Sequence, residues 1–100
     1  MESYNKLVRD NIPDILDKKG IPYEKRVASP EEYQQELIKK LIEEVAEFSL
    51  AGEVEELADV LEVIEALREL PTYTNVDLIK LKKVTEKGSF KKRIILKGEK

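Results

Sequence analysis

Apolar residues recur at helical spacing over three stretches of the chain. From Ser29 to Ala51, Leu37, Leu41, Val45 and Phe48 fall on one side of a wheel turning about 100° per residue. The run Ser29-Pro30-Glu31-Glu32 supplies a helix start: a Ser cap, Pro at the first helical position and Glu at the capping-box position. Gly52 closes this helix. A second helix is predicted from about Glu53 to Leu70, stopped by Pro71. Its Val54, Leu57, Leu61 and Ile64 form one apolar face, and Val60, Val63, Leu67 and Leu70 carry apolar character around the back. A third helix spans about Val76 to Lys87, capped from Thr74 or Asn75 and ended by Gly88.

The ends of the chain follow another pattern. Tyr4 to Asp10 reads as extended. Asn11 to Lys19 reads as a short helix, with Pro13 tolerated in its first turn and Gly20 at its end. Tyr23 to Ala28 and Phe90 to Leu96 read as strands able to pair with each other. The predicted fold is mainly α: an antiparallel helical hairpin or bundle with a short helix. A small β element from the N- and C-terminal segments completes a single domain over residues 1–100.

Composition narrows the chemistry. The chain contains no His and no Cys. Ser-His and Cys-His catalysis are therefore excluded, and so are disulfides and thiolate metal sites. Any metal must be held by oxygen, which points to magnesium, manganese or calcium, and no loop has the acidic spacing of an EF-hand. No apolar run is long enough to span a membrane, and the first residues lack the apolar stretch of a signal peptide. A cytoplasmic protein without a membrane role is expected. The net charge of −3 hides a strong asymmetry. Glu43 to Glu69 holds ten carboxylates against the single base Arg68, whereas Lys80 to Lys100 holds nine bases against Glu86 and Glu99. The acidic centre argues against general nucleic-acid binding and suits a cation.

The helical wheels sort the acids. On the first long helix Glu44 and Glu47 flank the apolar stripe one turn apart, while Glu43 points to solvent. On the second, Glu55, Glu62, Glu65 and Glu69 form a narrow polar arc. Glu56 lies outside that arc, between Val63 and Leu67, and Asp59 lies at its edge. Glu on a helix is ordinarily a solvated residue, often paired at i,i+4. Glu56 and Asp59 depart from that role, because an unpaired carboxylate on an apolar surface costs several kcal/mol. The helices themselves offer only Lys39, Lys40 and Arg68 as bases, so a divalent cation bound by Glu44, Glu47, Glu56 and Asp59 is the better compensation.

The pattern Glu43-Glu44-x-x-Glu47 followed by Glu56-x-x-Asp59 resembles the MazG-like all-alpha nucleoside triphosphate pyrophosphohydrolases, relatives of phosphoribosyl-ATP pyrophosphohydrolase. The opening Tyr4-Asn5-Lys6-Leu7-Val8-Arg9-Asp10-Asn11-Ile12-Pro13 and the closing Gly88-Ser89-Phe90-Lys91-Lys92-Arg93 resemble a small house-cleaning subgroup. The eight residues between Glu47 and Glu56 make a shorter gap than is common in MazG proper, which favours the compact subgroup. The resemblance implies that Glu44, Glu47, Glu56 and Asp59 are catalytic metal ligands for Mg²⁺, with Mn²⁺ as a substitute. It also implies hydrolysis of a nucleotide at the α–β phosphate bond, with release of pyrophosphate, by a homodimer or homotetramer.

Lys6 and Arg9 from the N-terminal segment, and Lys92 and Arg93 from the C-terminal one, are candidates for the outer phosphates; Arg can grip phosphate bidentately. Tyr4, Tyr23, Tyr33, Tyr73 and Phe90 are candidates to stack on a base, although packing is their commoner role. Glu62, three residues after Asp59, is a weaker candidate to assist. The alternatives are a nucleotide or metal sensor without turnover, and an acidic helical module meeting a basic partner.

Overall fold

A computed structural model describes residues 5–99. Tyr4, and with it the start of the predicted extended segment, lies outside the described residues. The order is α1 (Ile12–Lys18), α2 (Pro30–Ala51), α3 (Val54–Arg68), a 3₁₀ turn (Pro71–Tyr73) and α4 (Val76–Lys87).

The helix boundaries follow from local chemistry. Ser29 is extended, and its Oγ accepts the Glu32 N–H at 3.2 Å, while Pro30 sits in the first turn, where no N–H is needed. The reciprocal half of a capping box does not form. Both Glu32 oxygens instead accept the Arg26 guanidinium fork at 2.6 Å, which fastens the incoming chain to the start of α2. Gly52 ends α2 in the left-handed conformation (φ 64), its N–H donating to the Phe48 carbonyl. A side chain there would clash with its own backbone, so Gly permits the reversal into α3 after a single further residue. The fork of Arg68 spans Glu65 and, at 2.9 Å, Asp77, linking the end of α3 to the start of α4.

The main packing is the antiparallel pair α2–α3. Its seam buries Leu37, Val60 and Val63, and with them one acid, Glu44. The face of α3 turned to α2 is thus the Val60–Val63 side. The alternative stripe Val54, Leu57 and Leu61 remains exposed, as does Val45 of α2. Both stripes of α3 are apolar enough to pack, and the one that also carries Glu56 is the one turned inward.

The expected small β element is not present: no strand forms among the described residues. Residues 21–29 are irregular and are held by side chains. The Tyr23 hydroxyl donates to Asp17 at 2.8 Å, and Arg26 is engaged by Glu32. The C-terminal segment runs free of α4 after Gly88. One turn closes from the Arg93 N–H to the Phe90 carbonyl, with Arg93 at φ 56, and Ile95 and Leu96 lie open to solvent. Two β-prone segments that do not meet have no ladder to form.

Candidate functional site

The helical hairpin and the segment that crosses it build the site. Residues 7–12 and Ile15, with α2 and α3, border an open groove of about 540 Å³. Its floor includes Leu7, Ile12, Tyr33, Leu37 and Val63. Charged groups reach it from three directions: Arg9 and Asp10 from the segment, Lys40 and Glu44 from α2, Asp59 and Glu62 from α3. The volume lies within the range of small-molecule sites.

Among the described residues Glu44 is the one buried charged side chain, 7% exposed. Its Oε1 lies 3.5 Å from the Lys40 ammonium one turn earlier; its Oε2 is buried without a hydrogen-bond partner. Glu56, on the facing helix, likewise has a buried Oε2 without a partner. Such atoms forfeit hydration with nothing in return, a cost of about 1–3 kcal/mol per group and more for a charged one.

The other candidates are placed differently. Asp59 accepts Arg9 at 2.7 Å, an ion pair across fifty residues of sequence that ties the N-terminal segment to α3. Glu47 is exposed. The Glu44 charge raises its pKa above the ordinary carboxylate value, with partial burial and then Glu43 adding to the effect, Glu44 within reach to share a proton, and Lys40 opposing it. Glu43 is half-buried rather than solvent-facing, and it pairs with Lys6 at 3.5 Å and Lys40 at 3.6 Å.

The structure thus gathers Arg9, Glu44 and Asp59 in one groove, which Lys6, Glu47 and Glu56 do not line. Lys92 and Arg93 stand apart on the exposed C-terminal segment. No three carboxylates meet around a common point among the described residues. Of the aromatic candidates, Tyr33 lines the groove. Tyr73 accepts the Gln34 side-chain amide at 3.4 Å, Tyr23 is bound to Asp17, and Phe90 is 98% exposed.

Two features of the site were not drawn from sequence. Lys40 compensates Glu43 and Glu44, a role that its i,i+3 and i,i+4 spacing already announces. Arg9 neutralises Asp59, a long-range pairing with no local signal. Compared with known protein families, characterised proteins and solved structures, the chain shows no match.

Proposed function

We propose that this chain is a nucleotide pyrophosphohydrolase, using Mg²⁺ or Mn²⁺ to cleave the α–β phosphoanhydride of a nucleoside triphosphate or related compound. The observation that supports it is the pair of buried carboxylate oxygens, Glu44 Oε2 and Glu56 Oε2, left without partners on the two helices that pack together. Evolved interiors rarely retain such atoms without a use. Hard anionic oxygens of this kind fit a small divalent cation. Glu44 and Glu56 would hold the ion, with Glu47 and Asp59 swinging in to complete the set, because no three carboxylates converge among the described residues as they stand; the bound ion would neutralise the phosphate chain and lower the pKa of the attacking water.

The chain's own groups do the rest. One of the carboxylates takes the proton that water loses as it adds to phosphorus and pyrophosphate departs. Arg9, released from Asp59, and Lys6 grip the outer phosphates. Tyr33 on the groove wall offers a surface for the base. The role is house-cleaning in the cytoplasm, and the working unit is a homodimer or homotetramer. The apolar stripes left exposed on α2 and α3 support that assembly.

A second reading, the acidic helical module, is favoured by one observation: Asp59 is already neutralised by Arg9 without any cation. Pyrophosphate release from a panel of nucleoside triphosphates, with Mg²⁺ or with EDTA, separates the two. Release that needs the metal and falls about 100-fold or more in folded Glu44→Gln, Glu56→Gln and Asp59→Asn variants supports the enzyme. No release from any substrate, with a melting temperature indifferent to Mg²⁺, leaves the module.

A further inference from the structure

The segment after α4 joins two properties that rarely stay in water together. Residues 88–97 carry Lys91, Lys92, Arg93 and Lys97 and no acid. Between and beside these bases, Phe90 is 98% exposed, Ile94 67%, and Ile95 and Leu96 each 91%. A run of large apolar side chains this open is characteristic of a surface that becomes covered. The same chain holds a surface of opposite character. Six carboxylates and two bases line the groove over α2 and α3, above an apolar floor. Asp10, Glu62 and Glu69 have no ion-pair partner among the described residues.

We infer that the basic-apolar arm of one copy docks along the acidic rim of the groove on a second copy, its bases meeting Glu62 and Glu69, and that the exchange is reciprocal. Three observations favour a second copy as the occupant. Arm and groove are complementary in charge and both apolar at heart, so two identical chains satisfy each other in an isologous pair. The arm holds one turn, from Phe90 to Arg93; drawn out on docking, its ten residues reach about 33 Å, more than the roughly 22 Å length of a fifteen-residue helix such as α3, enough to follow the whole rim. The chain also exposes 9562 Å², against about 5,800 Å² for a compact monomer of this mass. That excess exceeds the roughly 1,200–2,000 Å² that a specific interface removes from water. The exchange does not depend on whether the groove cleaves nucleotides.

The chain has no cysteine, so introduced thiols report contacts without background. Ile95→Cys chains mixed with Glu62→Cys chains and oxidised are expected to give a disulfide-linked species of twice the chain mass. Charge reversal supplies the second reading: Glu62→Lys with Glu69→Lys weakens self-association at least 10-fold, and adding Lys92→Glu with Arg93→Glu restores it. The reversed residues are at the surface, and helical circular dichroism checks that each variant is folded. Closure of the disulfide within one chain carrying both cysteines, absence of any cross-chain product, or self-association indifferent to the reversal would each overturn the exchange.

Discussion

Glu44 and Glu47 stand one turn apart on α2 and differ in what surrounds them. Glu44 is buried in the helix seam with one oxygen near Lys40; Glu47 is exposed and feels the Glu44 charge most strongly. Because the folded state holds a proton on Glu47 more tightly than the unfolded chain does, the folded protein binds more protons around the acid range. Its stability from this group is therefore full below the ordinary Glu pKa and is lost as pH rises through the elevated value. In EDTA, Glu47→Gln is expected to raise the melting temperature at neutral pH and to flatten its change as pH rises above the ordinary Glu pKa. Melts of the two proteins across that window check it; identical pH profiles would show that the neighbouring charge has no thermodynamic weight. Glu43 shows how closely such roles are spaced. One residue earlier than Glu44, it is half-exposed and shared between Lys6 and Lys40.

At the scale of elements, the boundaries are set by short-range chemistry. Ser29, Pro30 and Gly52 start and stop α2 in the structure as their types predict, and α4 spans Val76–Lys87 as read from its caps. Ser29→Ala removes the acceptor for the Glu32 N–H and is expected to destabilise the protein by about 1 kcal/mol, while Ser29→Gly costs only a few tenths. Chemical denaturation of the three proteins tests that order. The elements that failed to form are equally instructive. Tyr23 to Ala28 and Phe90 to Leu96 have strand-prone composition, but a strand exists only against a neighbour. Here Asp17 and Glu32 hold the first segment, and the second lies beyond α4.

The whole molecule is elongated. Its radius of gyration is 18.0 Å, against about 13 Å for a compact domain of 100 residues. Among the described residues three apolar side chains are buried, while apolar stripes on α2, α3 and α4 face solvent. If the chain associates as proposed, its stability depends on concentration. The melting temperature is therefore expected to rise with protein concentration, and equilibrium sedimentation to report a mass at least twice that of one chain. A concentration-independent melt with a single-chain mass would show that the hairpin is self-sufficient. No helix is long and apolar enough to cross a membrane among the described residues.

The sequence by itself determined the helices, their caps and the acid-rich character of the hairpin, because each depends on residues within a turn or two of one another. It also marked Glu56 as an acid misplaced on an apolar flank, since helical periodicity alone assigns that side. Only the tertiary structure decided which of the two apolar stripes of α3 faces α2, because both satisfy the same periodicity and the choice rests on the partner helix. The same holds for Arg9 on Asp59, an electrostatic pairing across fifty residues, and for the two β-prone segments, which form no ladder among the described residues. Local free energies fix where helices begin and end. Which charges are compensated, and which apolar faces remain for another molecule, is settled only when distant parts of the chain compete for the same surface.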